Sequence, residues 1–567
     1  MADLARARRF RPGPRLVSVL VGGAAAILVL YPIAFLIQAS LSVGDPQARP
    51  PEAYGLDNFA DLPRYGHIFA NTVSVAVAAT VMAVVVGFGM GWILSRTNVP
   101  GRGVLEQLMA LPYYVTPLMG ALAWSLIGSP SGGFLNQVWR AVGGRDHLID
   151  VTTPYGIAWV MALFEGSVAF VMIGAVMKSM DPALEEASQV LGAGRLRTML
   201  RITLPLVLPG VLGAAIFVFA EMLGSFSAAL VLGLPSRFYV VTTAMYQLVS
   251  QYPPRFPTAA AMGVSLFAVM FAMVWLYRRI VRGGHYATIT GKAFRPRVMR
   301  VGRMRWALFA LCLLYLAIAV VLPVLTLFSA SIQTLATALV PTRASLTLAN
   351  YVTALSLDAV RSALWNSLLL GWGTATLGVG VMAFLSWLIY RSRLPGAGLI
   401  EYVLMFPQAV PRLVFAFGML WAWLIFPLPI YGTLWLLLIA YLTVFLPLGL
   451  RTISGVILQV DRSLEESAQM CGAGWGYRMR TVTMPLLRPG LVAAWLLLFI
   501  ASVRELGASI LLMGPKAKVI TPAIVESWFS TSTELTAAMA LLQTLAVAVA
   551  LVILFTVARR ATQHPGE

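Results

Sequence analysis

Long apolar blocks alternate with short polar stretches along the whole of this sequence. A helix needs about 20 mostly apolar residues to cross the hydrocarbon core of a bilayer. Blocks of roughly that length recur twelve times, which predicts an all-α polytopic membrane protein with twelve spanning helices, numbered here as spans 1 to 12. The predicted ranges are 16–38, 69–95, 105–127, 155–178, 206–232, 258–281, 305–330, 363–390, 400–425, 431–455, 489–513 and 535–558.

Basic residues are distributed unevenly between the two sets of loops. The N-terminal tail and the loops on its side carry 29 basic residues, the opposite loops carry ten, and the spans carry two. Because Lys and Arg are enriched in cytoplasmic loops, this distribution predicts that both termini are cytoplasmic.

Composition agrees with a membrane protein and excludes a soluble one. Of 567 residues, 59% are hydrophobic and 11% are charged, whereas a soluble chain carries about 25% charged residues. The net charge of +19 would favour nucleic acid as a partner in a soluble protein. Here the loop distribution accounts for that charge, so the predicted partner is the lipid bilayer and not a nucleic acid.

The second half of the sequence repeats the first. Fourteen of the thirty positions 181–210 are identical to positions 461–490, an offset of 280, while an earlier block recurs at an offset of 295. Repeats at fixed offsets indicate tandem structural units. The offset falls by 15, so the first half should contain about 15 additional residues, expected in the loop around 128–153. The residues of the earlier block are Asn71, Trp92, Arg96, Pro100, Gly101, Gly103, Glu106 and Pro112, which match Asn366, Trp387, Arg391, Pro395, Gly396, Gly398, Glu401 and Pro407.

The predicted organisation is therefore two six-helix repeats joined by a basic linker. Each repeat ends its fourth span in a copy of the duplicated loop. The predicted segments are a basic tail at 1–15, a first repeat at 16–282, a linker at 283–304, a second repeat at 305–558 and a tail at 559–567.

The loop between spans 4 and 5 of each repeat carries the longest duplicated motif. It reads DPALEEASQVLGAGRLRTMLRITLPLVLPG at 181–210 and DRSLEESAQMCGAGWGYRMRTVTMPLLRPG at 461–490. Asp181 is a favourable helix N-cap, and Gly192 and Gly194 are expected to break the helix that follows. The motif predicts a helix, a glycine turn and a second helix, which together form an elbow outside the bilayer.

This elbow resembles the EAA loop of bacterial ABC importer permeases. In that family an EAA triplet precedes a glycine and a Leu-Pro pair at fixed distances. The first copy has Glu186-Ala187-Ser188, Gly192 and Leu204-Pro205, and the second has Glu466-Ser467-Ala468, Gly472 and Met484-Pro485. The similarity extends along almost the whole chain to fused two-domain permeases of the ferric-iron group, which overlaps with thiamine and polyamine permeases.

The resemblance implies two tandem type I ABC importer permease repeats in the bacterial inner membrane, so that one fused chain replaces a permease dimer. In the family the elbow is a coupling helix that docks into a cleft of the ATPase subunit. Glu186 and Glu466 would then meet basic groups there, and an ordinary capped loop with a solvated acidic face is the alternative. The predicted ATPase-coupling residues are Glu185, Glu186, Gly192, Gly194, Pro205, Glu465, Glu466, Gly472, Gly474 and Pro485.

The sequence contains no phosphate-binding loop. That loop requires Gly-x-x-x-x-Gly-Lys-Ser/Thr, and none of the four lysines stands in such a pattern. The chain is therefore not expected to be an enzyme or to bind a cofactor. The resemblance implies that ATP and Mg²⁺ bind to two copies of a partner ATPase and that an extracytoplasmic binding protein delivers the substrate.

Ionisable residues within the predicted spans are candidates for the translocation path. Each costs about 2.5–3.5 kcal/mol at the bilayer centre on insertion scales, so it is a functional candidate. We hypothesise that Glu221 and Glu505, which lie in similar local motifs of spans 5 and 11, attract a cation or organise a closed gate. A buried structural ion pair is the alternative. Arg504 and Arg412 complete the candidate set, and Pro411 predicts a kink in span 9.

Three functional classes follow from this pattern. An importer permease requires the duplicated elbow and a partner ATPase, whereas a secondary transporter requires neither. A polytopic membrane enzyme would need a cluster of polar catalytic residues, which the sequence does not contain. Within the first class ferric iron is the expected substrate, with thiamine, a polyamine, phosphonate or another small solute as alternatives, and any metal site is left undefined.

Overall fold

The chain folds into helices that are joined mostly by short connections. The computed structural model describes residues 14–44, 51–180, 183–282, 299–336, 340, 342–391, 395–425 and 429–563. The first half contains α1 (Pro14–Leu41), α2 (Asp57–Ala60), α3 (Gly66–Arg96), α4 (Arg102–Leu108), α5 (Leu111–Tyr114), α6 (Pro117–Gly128), α7 (Phe134–Ala141), α8 (Pro154–Ser179), α9 (Ala183–Val190), α10 (Arg195–Thr198), α11 (Leu204–Leu223), α12 (Val241–Ser250) and α13 (Phe256–Arg282).

The second half repeats this order. It contains α14 (Met304–Leu316), α15 (Leu322–Ser331), α16 (Ala349–Ser356), α17 (Asp358–Arg391), α18 (Ala397–Met405), α19 (Arg412–Ile425), α20 (Leu434–Val444), α21 (Leu446–Gln459), α22 (Arg462–Met470), α23 (Trp475–Arg478), α24 (Met484–Val503), α25 (Ser509–Leu512), α26 (Ile520–Ser530) and α27 (Thr533–Gln563). Two short strands, β1 (Ser42–Val43) and β2 (Ala53–Tyr54), pair antiparallel after span 1, with Ser42 opposite Tyr54.

The twelve predicted spans all correspond to helical segments. Within the described part of the chain, nine helices are long and apolar enough to cross a bilayer, and three bent helix pairs bring the number to twelve. The nine helices are spans 1, 2, 4, 5, 6, 7, 8, 11 and 12, and the bent pairs are spans 3, 9 and 10. The predicted fold class is confirmed.

Each bent span changes direction beside a proline. Span 9 bends by 107° between α18 and α19, where Pro411 precedes the second segment, as the sequence predicts. Span 3 bends by 87° before Pro117, and span 10 bends by 50° before Pro447. Proline has no amide hydrogen and its ring clashes with the preceding turn, so a helix that reaches it kinks or restarts. The kinks in spans 3 and 10 were not predicted.

The helix starts locate the additional residues of the first repeat. Pro117 begins α6 and Arg412 begins α19, an offset of 295, whereas Pro154 begins α8 and Leu434 begins α20, an offset of 280. The 15 extra residues therefore lie in the loop 129–153 between spans 3 and 4, in agreement with the sequence.

Contacts divide the chain into two compact units that do not coincide with the two repeats. One unit consists of Met1–Gln38, Trp365–Ala517 and Val549–Glu567, so span 1 packs with helices of the second repeat. At Gly418 in span 9, an added Cβ would approach the carbonyl oxygen of Pro32 to 2.3 Å. Glycine is therefore required for span 1 to lie this close to span 9.

The other unit consists of Ala39–Leu364 and Lys518–Ala548, so span 7 packs with helices of the first repeat. The Tyr315 hydroxyl of span 7 donates a hydrogen bond of 2.8 Å to the Leu163 carbonyl of span 4. Each repeat thus contributes its first span to the unit built mainly from the other repeat. This grouping concerns packing, and the repeat boundaries remain a prediction from sequence.

An exposed apolar stripe on α3 indicates how a spanning helix meets lipid. Val73, Val77, Val81 and Val85 follow one another at intervals of four residues, and all four are exposed. Residues at this spacing lie on one face of a helix. In water such a continuous apolar face would be unfavourable, whereas in a bilayer it contacts lipid chains.

Candidate coupling elbows and intramembrane charges

The first elbow consists of α9, a turn at Gly192, α10 and a π-helical turn at Met199–Thr203 that leads into α11. Gly192 has φ +83°, a left-handed conformation that glycine adopts without the steric penalty of a side chain. The Ala193 amide donates to the Ser188 carbonyl at 3.1 Å, which closes the end of α9 in a Schellman motif. Asp181, the predicted cap, lies outside the described residues.

The second elbow has the same conformation. Gly472 has φ +80°, and the Ala473 amide donates to the Ala468 carbonyl at 3.1 Å. Asp461 caps α22 by accepting a hydrogen bond of 2.9 Å from the Ser463 amide. That backbone hydrogen bond lowers the pKa of the Asp461 carboxyl, because it stabilises the charged form. The predicted helix–glycine–helix elbow is therefore present in both repeats.

The second glycine and the proline of each predicted elbow do not lie at the left-handed turn. Gly194 and Gly474 do not adopt a left-handed conformation, and a Cβ at either would meet nothing within 4 Å. The conformation therefore gives no reason for glycine at these two positions. Pro205 and Pro485 lie just after the π-helical turns Met199–Thr203 and Met479–Thr483, and a π-helical turn is one adjustment by which a spanning helix accommodates a proline.

Glu185 is buried inside the first elbow and does not face solvent. Its Oε2 lies 3.2 Å from Nε of Arg96, and the two side chains are 4% and 0% exposed. The Thr203 hydroxyl donates to Glu185 Oε1 at 2.6 Å. Arg96, the last residue of α3, also donates through Nη2 to the Met177 carbonyl at 2.8 Å and to the Met180 carbonyl at 3.4 Å. One guanidinium thus joins the ends of spans 2 and 4 to the elbow.

The second repeat keeps the contacts to carbonyls and threonine. Arg391 donates to the Ile457 carbonyl at 2.6 Å and also to the Val460 carbonyl. The Thr483 hydroxyl donates to Glu465 at 3.2 Å. We call Arg96, Glu185 and Thr203, with Arg391, Glu465 and Thr483, the elbow anchors. The recurrence of Arg96 at Arg391 was visible in the sequence, but only the fold brings each arginine to its elbow.

The surface of each elbow tip is apolar. Val190 and Leu191 end the first tip and are almost fully exposed. Met470 and Cys471 occupy the same places in the second tip and are also exposed. Glu466 is exposed beside them, whereas the side chain of Glu186 lies outside the described residues. An exposed apolar tip on a loop is typical of a surface that docks to a partner.

Two of the candidate path residues form an ion pair. Arg412 Nη1 lies 3.4 Å from Glu505 Oε2, with 49% of the Arg412 side chain exposed and 3% of the Glu505 side chain. The other carboxylate oxygen of Glu505 accepts a hydrogen bond of 3.1 Å from the Ala508 amide. The Arg412 guanidinium also lies over the Phe445 ring at 5.9 Å. The pair joins span 9 to the break at the end of span 11.

Glu221 and Glu505 do not occupy equivalent positions in the two repeats. Glu221 lies within α11, whereas Glu505 follows the end of α24. The two helices end 280 residues apart, at Leu223 and Val503, so Glu505 corresponds to Ser225. Glu221 and Arg504 are both partly exposed. The local sequence likeness misled because it ignored where the helices end.

Residues 63–283 and 391–564 match the family described as "Binding-protein-dependent transport system inner membrane component". A probable ABC transporter permease protein, y4fN of Sinorhizobium fredii, is 25% identical over 95% of both chains. A putative ferric transport system permease protein, FbpB 1 of Haemophilus influenzae, is 25% identical over 76% of this chain and 68% of that one.

A shorter relative matches part of the chain. The spermidine/putrescine transport system permease protein PotB of Salmonella typhimurium is 25% identical over 47% of this chain and 93% of its own length. The two matched regions of the family correspond to the two repeats inferred from sequence, and the internal duplication is confirmed. Within the described residues, no group of three or more His, Cys, Asp or Glu could hold a metal ion.

Replacing Gly192 by alanine should loosen the first elbow, whereas the same change at Gly194 should not. A non-glycine residue in the left-handed conformation costs about 1–2 kcal/mol, and Gly192 has that conformation whereas Gly194 does not. Hydrogen–deuterium exchange of the purified chain should show amide exchange in α9 that is faster by about an order of magnitude in Gly192→Ala. Equal exchange in the two variants would contradict a conformational requirement at Gly192.

Glu185→Gln should destabilise the protein far more than Glu106→Gln. Removing one partner of a buried pair costs about 3–5 kcal/mol because an uncompensated charge remains buried, and Arg96 is fully buried. Glu106 pairs with Lys178, but their side chains are 34% and 46% exposed, and an exposed pair contributes about 0–1 kcal/mol. Thermal unfolding in detergent should show the difference. Similar unfolding midpoints for the two variants would mean that Glu185 does not stabilise the fold.

Proposed function

The chain belongs to the family of inner membrane components of binding-protein-dependent transport systems, and from this premise we propose that it is the permease that couples a separate ATPase to solute import. It forms the translocation path, and both termini are cytoplasmic. The main support for this proposal is the presence of two elbows of the same conformation, one in each repeat, at an offset of 280 residues.

The presence of two elbows is consistent with the binding of two ATPase subunits, one at each elbow. Each elbow ends in an exposed apolar tip, Val190-Leu191 or Met470-Cys471. Burial of such residues in a cleft of the partner would provide the affinity, since burial of apolar area drives association. Exposed Glu466 would add a charged contact beside the tip. The single chain thus does the work of a permease dimer.

The elbow anchors are the route by which force reaches the spans. In the first repeat, Arg96 ties Glu185 of the elbow to the end of span 2 and to the last carbonyls of span 4. A displacement of α9 by the ATPase would therefore move the ends of both spans together. In the second repeat, Arg391 donates to the last carbonyls of span 10 and Thr483 donates to Glu465 of the elbow. Glu185 and Glu465 accordingly act in coupling by positioning the elbow and not by touching the partner.

The substrate we propose is ferric iron, delivered by an extracytoplasmic binding protein. Support comes from relatives whose names include ferric transport and which match along both repeats. Relatives named for spermidine and putrescine match about half of the chain, so a polyamine is the second candidate. Thiamine, phosphonate and other small solutes stay open. A secondary transporter, driven by an ion gradient, would have no use for the paired elbows.

The Arg412–Glu505 ion pair favours a role for Glu505 in holding a gate closed over a role in binding a cation. Both oxygens of Glu505 already have partners, and the side chain is almost fully buried. A carboxylate in this state is a poor ligand for a passing cation, because binding would first require the Arg412 pair to break. The pair instead joins the kink of span 9 to the broken end of span 11, the type of irregular backbone that lines a transport pathway.

Native mass spectrometry of the chain purified with its ATPase should give one permease and two ATPase subunits. The double substitution Val190→Ser with Leu191→Ser should reduce this to one ATPase, because only the second elbow keeps its apolar tip. Leu348→Ser is the matched control, since Leu348 is similarly exposed but lies outside both elbows. Two ATPase subunits on the tip variant would contradict docking at the elbow, and ATP-independent uptake would favour a secondary transporter.

Substitutions of the Arg412–Glu505 pair should distinguish a gate from a cation site in an ATP-driven uptake assay with ferric iron on its binding protein. If the pair organises a gate, Glu505→Gln and Arg412→Met should both lower the maximal rate. The double variant Arg412→Met with Glu505→Leu should recover part of it, because no lone charge stays buried. A raised KM in Glu505→Gln with a lowered KM in Arg412→Met would instead indicate that Glu505 binds the cation.

A further inference from the structure

The loop 129–153 of the first repeat contains a short helix, α7, that is held against the end of span 3. The Gly133 amide donates to the Ser129 carbonyl at 2.9 Å, and a Cβ on Gly133 would clash with the carbonyls of Ser129 and Ile127. Farther along the loop, the Val151 amide donates to the Gly128 carbonyl at 3.2 Å. The loop therefore folds directly onto the end of α6. It lies at the start of α8, and the elbow follows the other end of that helix.

The polar face of α7 points into its own loop. Asn136 is completely buried and donates to the carbonyls of Ser129 at 2.9 Å and Ile149 at 2.8 Å. Its side-chain oxygen accepts hydrogen bonds from the amides of Leu148 at 2.8 Å and Ile149 at 3.0 Å. The side chain thus makes all four of the hydrogen bonds that an asparagine can make. Arg140 donates to the Ser131 carbonyl at 2.9 Å on the same side.

The apolar face of α7 points outward. The exposed fractions are 37% for Leu135, 55% for Val138, 37% for Trp139 and 73% for Val142, which is the C-cap of α7. These residues are spaced i, i+3, i+4 and i+7, so they form one continuous stripe. A Cβ on Gly144 would overlap the Trp139 indole, so the loop holds this ring in place. A surface helix in water has the reverse orientation, with its apolar stripe inside.

We infer that α7 is an interfacial helix whose stripe, Leu135, Val138, Trp139 and Val142, lies in the lipid headgroup and acyl boundary. Continuity with the bilayer favours lipid as the occupant, because α7 is folded onto the end of span 3 and its loop leads at once into span 4. An amphipathic helix that follows a span and carries a tryptophan matches the known interfacial pattern. A soluble partner protein is the other possible occupant, and it is an outcome of the test below.

Within the described residues, no helix of the second repeat corresponds to α7. In the second repeat, α19 ends at Ile425 and α20 begins at Leu434, which leaves no room for a corresponding helix and loop. The chain would therefore be attached to the membrane surface through spans 3 and 4 of one repeat and not through their counterparts. This attachment goes beyond transport itself and does not depend on which solute is carried.

Spin labels on the full-length chain in vesicles of phosphatidylethanolamine and phosphatidylglycerol test the inference. Val138→Cys and Val142→Cys report on the stripe, and Ser131→Cys, an exposed position in the same loop, is the aqueous reference. All three are made in a Cys471→Ser background, because Cys471 is exposed whereas Cys312 is buried. Leu135→Cys replaces either stripe variant that fails to elute as a single species.

The expected result is that the difference between oxygen accessibility and nickel accessibility has opposite signs for the stripe labels and the reference label. Labels at Val138 and Val142 should be more accessible to oxygen than to a water-soluble nickel complex, at a depth of about 5–10 Å, and the Ser131 label should show the reverse. Stripe labels that are as accessible to nickel as the reference would overturn the inference. If the stripe labels are accessible to nickel and become immobile only when the partner binding protein is added, the stripe binds that protein and not lipid.

Discussion

A guanidinium buried at the end of a spanning helix determines where the first elbow lies. Arg96 cannot reach water, so its charge must be compensated by Glu185 and by the terminal carbonyls of span 4. A buried charge without these partners would be strongly unfavourable, and each partner belongs to a different segment. The requirement therefore holds the end of span 2, the end of span 4 and the start of α9 in one arrangement.

The two repeats share this frame but carry different additions. Arg391 also binds carbonyls at the end of span 10, and Thr483 also donates to a glutamate of the elbow, so the second repeat keeps these two types of contact. The Arg412–Glu505 pair has no counterpart in the first repeat, where Pro117 and Ser225 occupy the corresponding positions. Conversely, α7 has no counterpart in the second repeat. A fused chain permits this divergence, because each half can change without requiring the same change in the other, whereas a homodimer carries every substitution twice.

Much of the elbow could be predicted from sequence, because its conformation is decided locally. Gly192 and Gly472 each end a short helix, and a glycine can do so independently of its surroundings. The recurrence of this turn at an offset of 280 residues indicates that it is a conserved feature of both repeats. The role of Glu185 could not be predicted in this way. The sequence placed it among the residues expected to couple to the ATPase, whereas packing turns it toward Arg96, which lies 89 positions earlier in the sequence. Likewise, the similar local motifs around Glu221 and Glu505 do not show that the two residues lie at different distances from the ends of their helices.

The sequence by itself determined the class of protein, the number of spans and the duplication, because hydrophobic length and repeat spacing are properties that a chain carries without folding. It also located the kink at Pro411, since proline disrupts a helix through its own covalent structure. Only the tertiary structure decided which charges are compensated, that span 1 packs with the second repeat and span 7 with the first, and that α7 turns its apolar stripe outward. Those features depend on which distant segments come into contact, and no local pattern specifies that choice.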